Sequence, residues 1–190
     1  MPPSYVTWVP PLSVFLRWIL GKFATADLDL SPLLTPGHRH VVMAREPVRV
    51  LASFNEVVTP TRDEAGYDDL LRVAAACSEA GAPLLAVDAN ELAADAEATL
   101  RRMCAFAGIG WDEGMLSWPT GGRPEDGVWA DDWYGSVHAS SGLERKAGHK
   151  PPRAALPTAL EPLAGELLPL YKELQRMAAA DEDRYDGRIC

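Results

Sequence analysis

A chain of 190 residues, 47% apolar and 24% charged, is long enough to fold as one domain around a real core. Its net charge of −9 excludes a general affinity for nucleic acid or for an anionic membrane, while leaving room for a local basic pocket that takes a small anion.

The first element is "VTWVPPLSVFLRW", Val6 to Trp18: a short apolar strand, prolines, a Ser and a helix-like stretch. The most apolar run here, Val9 to Leu20, is too short to span a bilayer and carries Arg17. It has no basic leader before it, so a secretory signal is not expected either. "HVVMAREPVRVLASFNEVV" is the clearest local unit. Val41, Val42 and Met43 read as a buried strand, and Pro47 suits the first turn of a helix because its missing N–H would be unbonded there anyway. Val48, Leu51 and Ala52 then mark one helical face.

"GYDDLLRVAAACSEAG" predicts a second helix, with Asp68 and Asp69 near its start and Gly81 closing it. "APLLAVDANEL" predicts a buried strand ending at Asp88. "DAEATLRRMCAFAGI" predicts a third helix with Ala96, Leu100, Met103, Cys104 and Ala107 on one side. This alternation favours an α/β fold, a parallel sheet covered by helices. "LSWPTGGRPEDGVWADDWYGSVHASSG" is rich in Gly, Pro and Trp and reads as a long ordered loop or lid. A last helix is expected from Pro157 to Ala180, with Leu160, Leu163, Leu167 and Leu170 as apolar positions. Residues 1–180 are thus expected to form a single domain, and 181–190 a frayed acidic tail.

Cys77, Cys104 and Cys190 lie far apart, with no CxxC or Cys/His ligand spacing, so no metal is expected. The first two fit helical core positions, and an odd, scattered set fits a reducing, cytoplasmic location.

The chemistry concentrates after the first clear strand. Arg45 ends it, and Arg49 and Ser53 follow at four-residue steps along one side of the helix start. In open parallel sheets, ligands bind beyond the carboxyl ends of the strands, where a helix start offers free N–H groups. A guanidinium adds bidentate bonds to phosphate oxygens and a hydroxyl can add another, so this group could grip a monophosphate. The alternative is that Arg45 simply pairs with Glu46 or Asp88. Asp88 itself could orient Arg45 or face solvent.

"VVMAREPVRVLASFNEV" resembles the cofactor-binding segment of the sulfotransferases, and "APLLAVDANEL" through "MLSWPTGGRPEDGVWADDWYGSVHASSG" resembles the C-terminal half of that family. "LPTALEPLAGELLPLYKEL" is similar to its last helix, so the likeness runs roughly from Leu28 to Met177. The resemblance implies a P-loop nucleoside triphosphate hydrolase-like fold, incomplete at the N-terminal side. It implies 3′-phosphoadenosine 5′-phosphosulfate as donor and a small-molecule hydroxyl or amine as acceptor. Arg45 and Ser53 match the pair that holds the donor's 3′-phosphate, with Arg49 beside them.

Family members carry an N-terminal loop of the form PRSxST around the 5′-phosphosulfate. "PLSVFL" resembles it at Pro11 and Ser13, while Leu12, Phe15 and Leu16 replace the basic residue and two hydroxyls. Losing one charge-assisted hydrogen bond to an anion costs about 1.5–3 kcal/mol. Three such losses approach the roughly 8 kcal/mol that binds a micromolar ligand. Phe23 stands where some relatives carry the histidine that serves as general base, so no catalytic residue is assigned. The chain therefore resembles a shortened sulfotransferase whose 3′-phosphate half is present. A catalytically impaired pseudoenzyme, or a truncated product, binding 3′,5′-phosphoadenosine or only partners, is the alternative.

His38 and His40 precede the strand, away from the expected ligand edge. His138 lies in the lid-like segment, either in a pocket or bonded to backbone. Trp111, Trp118, Trp129 and Trp133 either line an acceptor pocket or pin that segment to the core. Arg145 and Lys146 read as a solvated basic loop or as a cover over the 3′-phosphate. No GxxxxGK[ST] run is present, which argues against a kinase-like phosphate transfer.

Overall fold

Two parallel strands and one long C-terminal helix organise the chain, in a computed structural model that describes residues 30–127, 130, 134–143 and 155–185. Strand β1 (His40–Ala44) pairs with β2 (Leu84–Asp88) in parallel, from His40 opposite Leu84 to Ala44 opposite Asp88. Between them run α1 (Pro47–Phe54), α2 (Arg62–Ala65) and α3 (Tyr67–Ala80). After β2 come α4 (Ala89–Ala94) and α5 (Ala96–Ala107), then α6 (Gly135–His138) and α7 (Glu161–Tyr185). The expected mixed α/β architecture with a parallel sheet is present, with two strands among the described residues.

Local chemistry sets these boundaries. Pro47 occupies the first turn of α1, as its fixed φ predicts. Thr61 and Glu64 close a reciprocal capping box on α2: Glu64 N–H donates to the Thr61 hydroxyl at 3.3 Å and Thr61 N–H to the Glu64 carboxylate at 3.0 Å. Gly66, at φ 74°, ends α2 and starts α3 in one residue, a left-handed geometry that a side chain would strain. Asp95 caps α5 by accepting from Ala98 N–H at 3.1 Å.

Strand β2 is buried along Leu85, Ala86, Val87 and Asp88 without alternation, because both of its faces are covered. Leu85 and Val87 meet Phe106 of α5, while Ala86 joins the larger cluster around Leu51, Tyr67, Cys77, Leu167 and Leu174. Helix α7 buries Leu160 just before it, then Ala164, Leu167, Tyr171, Leu174 and Ala178, at alternating three- and four-residue steps. Pro169 sits inside α7 on its exposed side, where the Gly165 carbonyl it leaves unbonded can take water. Cys77 and Cys104 are buried free thiols, and burial pushes both thiol pKa values up.

Three expectations are corrected. Strand β1 is buried at Val42 and Ala44 only, and Met43, expected inside, is 39% exposed because the alternate face of this strand is open. Helix α7 does not stop at Ala180 but continues to Tyr185, and Asp181 is not part of a frayed tail. Asp181 is buried, and its carboxylate accepts from the Ala86 N–H at 2.8 Å, a backbone donor of β2. On α5 Cys104 is buried and Met103 packs against the cluster of Leu85, Val87 and Phe106 as expected, but the other buried positions are Thr99, Arg102 and Phe106, while Ala96, Leu100 and Ala107 are only half-buried. Arg102 turns inward because Glu91 of α4 meets it at 2.7 Å. Among the described residues no helix is long and apolar enough to cross a membrane, and no group of His, Cys, Asp or Glu could hold a metal ion.

Candidate functional site

Both strands end at the same level, so the carboxyl edge of the sheet carries Arg45, one residue beyond Ala44, next to Asp88. Arg45 is exposed by area yet flanked by protein. Desolvation by that protein, and then the neighbouring Arg49 guanidinium, hold its pKa below the ordinary arginine value, against the pull of Tyr67 and Glu46. Among the described residues no hydrogen bond or ion pair ties the Arg45 guanidinium. The carboxylates considered as its partners are engaged elsewhere. Glu46 accepts from Arg49 Nε at 3.3 Å, and Asp88 is buried.

Arg49 lies mostly under cover, its side chain 12% exposed. Ser53 follows one turn later on the same flank of α1 and is exposed. The structure therefore brings Arg45 and Arg49 together, with Ser53 on the helix flank beside them. The free N–H groups expected at the start of α1 are fewer than the sequence suggested. Pro47 has none, and the amides of Arg49 and Val50 both donate to the Glu46 carbonyl, at 3.0 and 3.1 Å. Val48 keeps the one amide of that turn without a backbone partner among the described residues. Any anion here is held chiefly by side chains. Ser13, with Leu12, Phe15, Leu16, Phe23, Trp129, Trp133, Arg145 and Lys146, lies outside the described residues.

Tyr67, Asn90, Tyr171 and Gln175, none of them singled out from the sequence, hold this edge in place together with Asp88. Tyr67, the first residue of α3, is buried and donates its hydroxyl to the Arg45 carbonyl. Burial, then neighbouring Tyr171, push its phenol pKa well above the usual value. Asp88 neither orients Arg45 nor faces solvent. Its carboxylate accepts from Asn90 N–H at 2.7 Å, from the Tyr171 hydroxyl at 2.8 Å and from Gln175 Nε2 at 2.9 Å. Asn90 Nδ2 also donates to the Tyr171 oxygen at 3.0 Å. This network pins α7 to the end of β2. The signal in the sequence was a tyrosine inside an apolar stripe, since a buried hydroxyl needs a partner.

Beyond Asp88 lies a shallow depression of about 540 Å³, bounded by Asp88, Glu91, Lys172, Gln175, Arg176 and Ala179. Arg45, Arg49 and Ser53 do not line it.

The segment after α5 is a loop closed on itself. Ser117 and Gly142 form an isolated antiparallel bridge, with Trp118 N–H donating to the Ser141 carbonyl at 3.0 Å and Leu143 N–H to the Leu116 carbonyl at 2.9 Å. Inside it, His138 Nε2 meets Asp126 Oδ2 at 2.9 Å, so its ring pairs with a carboxylate and not with backbone. The Arg123 amide, and secondarily His138, hold the Asp126 carboxyl below its ordinary pKa. Trp111 packs under the Arg101 guanidinium at 4.6 Å, which fixes it as a cation–π partner. His38 bonds Thr35 and His40 opens β1, both at the end of the sheet opposite Arg45.

A parallel strand pair covered by helices, with a basic turn at its carboxyl edge, defines a domain of the α/β class. A profile of the sulfotransferase domain matches residues 22–178, and the chain belongs to that family. The matched span starts after Ser13 and covers the strand–turn–helix unit, β2 and α7. Two curated relatives from Arabidopsis thaliana align over 145 residues, 76% of this chain. They are "Branched-chain-amino-acid aminotransferase-like protein 1", 38% identical, and "Branched-chain-amino-acid aminotransferase-like protein 2", 34% identical. The aligned part is 25% of each, so the chain spans about a quarter of the length of the curated relatives it matches. No solved structure matches.

Proposed function

We propose that this domain binds a 3′-phosphoadenosine nucleotide at the carboxyl edge of its sheet and passes a sulfuryl group from 3′-phosphoadenosine 5′-phosphosulfate to a hydroxyl or amine acceptor. The observation that carries this is the pair of neighbouring guanidiniums, Arg45 and Arg49, one of them without a carboxylate partner among the described residues, in a chain of the sulfotransferase domain family. Two like charges this close repel, and a dianion between them relieves the repulsion. Arg45 supplies the planar fork that suits a phosphate, Arg49 a second charge shared with Glu46, and Ser53 a hydroxyl. Ser13 completes the set by contacting the 5′ end. The fold class that goes with this assignment is the P-loop nucleoside triphosphate hydrolase type, and the location that goes with it is cytoplasmic.

The bound donor supplies the reactive sulfuryl group; the chain supplies position and charge. The word aminotransferase in the relatives' names is not carried over, because this chain aligns with only a quarter of each.

Calorimetry with adenosine 3′,5′-bisphosphate tests the binding step. Micromolar binding that weakens about 10- to 100-fold in Arg45→Ala and less in Ser53→Ala supports it, since one charge-assisted hydrogen bond to an anion is worth about 1.5–3 kcal/mol. Equal affinity in wild type and Arg45→Ala opposes it. Incubation with radiolabelled donor and a panel of hydroxyl and amine acceptors tests transfer. Leu12, Phe15 and Leu16, which stand where the family has a charge and two hydroxyls, favour a second outcome: nucleotide bound and no sulfuryl transferred.

A further inference from the structure

We propose that Tyr67 is a positioning residue for the nucleotide's 3′-phosphate, acting through the backbone carbonyl of Arg45; this rests on the binding site proposed above. Tyr67 is 2% exposed and packed in the main core cluster with Leu51, Leu70 and Tyr171. A phenylalanine would fill that space equally well, so packing does not explain the hydroxyl. Its hydrogen bond goes to a carbonyl 22 residues earlier, that of Arg45, at the point where β1 gives way to α1.

That turn is fixed from two sides. Pro47 restricts Glu46 to extended backbone, seen as φ −52° and ψ 130°. Tyr67 anchors the preceding peptide by its oxygen. The Arg45 side chain has no ion pair of its own among the described residues, and Arg49 repels it. Its direction is therefore set by the backbone it grows from, and Tyr67 holds that backbone. Tyr171 is a matched control. It is another buried tyrosine of the same cluster, but its hydroxyl goes to Asp88 and not to the turn.

The test compares affinities for adenosine 3′,5′-bisphosphate and adenosine 5′-monophosphate, which differ only in the 3′-phosphate. In Tyr67→Phe the ratio of the two affinities is expected to fall about fivefold, the effect of one hydrogen bond of ordinary net strength. Tyr171→Phe is expected to leave the ratio as in wild type. An unchanged ratio in folded Tyr67→Phe overturns the proposal, as does an equal fall in both variants, because the effect would then come from a loosened core and not from the bond to the Arg45 carbonyl. If Tyr67→Phe does not fold, Pro47→Ala loosens the same turn from its other side. A reduced ratio there supports the assignment and an unchanged one overturns it. A wild-type protein that does not distinguish the two nucleotides removes the underlying binding site, an outcome separate from a wild-type preference that Tyr67→Phe retains.

Discussion

Replacing Asp88 by alanine should destabilise the fold by about 2–4 kcal/mol, and the magnitude follows from the fate of its three donors. The carboxylate is 4% exposed and accepts from Asn90 N–H, the Tyr171 hydroxyl and Gln175 Nε2, all within 2.7–2.9 Å. Its loss removes the N-cap of α4, which costs about 1 kcal/mol. It leaves the Tyr171 hydroxyl, 4% exposed as a residue, without an acceptor, which costs about 1–3 kcal/mol. Gln175 is an exposed residue and regains water, so it adds little. Urea unfolding followed by circular dichroism measures the change, and the melting temperature should drop by roughly 5–15 °C for a chain of this size. In a double-mutant cycle with Tyr171→Phe, the two changes should couple by about 1 kcal/mol or more. A loss below about 0.5 kcal/mol, or strict additivity, would refute the view that Asp88 ties α7 to β2.

Alkaline unfolding should begin early. The Tyr67 phenol is held above its ordinary pKa of 10 when folded, so above pH 10 the unfolded chain releases a proton that the folded chain keeps. Stability is then full below pH 10 and falls as pH rises, by up to about 1.4 kcal/mol per pH unit for that one group. Tyr171, raised by burial and by Asp88, acts in the same direction. Tyr67→Phe should flatten the stability profile above pH 10, and an unchanged slope in chemical denaturation would contradict the shift. Gly142→Ala should open the 117–142 loop, because an added Cβ would sit 2.5 Å from the Leu116 carbonyl oxygen. A cost of about 1–3 kcal/mol is expected, with faster amide exchange at Trp118 and Leu143.

The parts of this fold that were legible in the sequence are those whose cause is local. Val41 to Met43 and Leu84 to Val87 are apolar runs that form strands, although Met43 is exposed; Pro47 starts a helix, and Gly81 ends one in a left-handed turn. Arg45 was placed correctly at the sheet edge because strand, turn and helix are contiguous. What was hidden depends on distant partners. Asp88 looked free to face solvent or Arg45, since its partner Tyr171 lies 83 residues away. Asp181 looked like part of a solvated tail, since the Ala86 amide it caps lies 95 residues earlier. The burial of Arg102 depends on Glu91, eleven residues earlier on the neighbouring helix α4. The helix start was read as richer in amides than it is, because the shared acceptance by the Glu46 carbonyl is a matter of turn geometry and not of residue type.

The most direct measurement is a crystal structure of the protein with adenosine 3′,5′-bisphosphate. The account predicts the 3′-phosphate within hydrogen-bonding distance of the Arg45 guanidinium and the Ser53 hydroxyl, beside the end of β1. A nucleotide seated instead in the depression by Lys172 and Arg176, with Arg45 left in solvent, would contradict it.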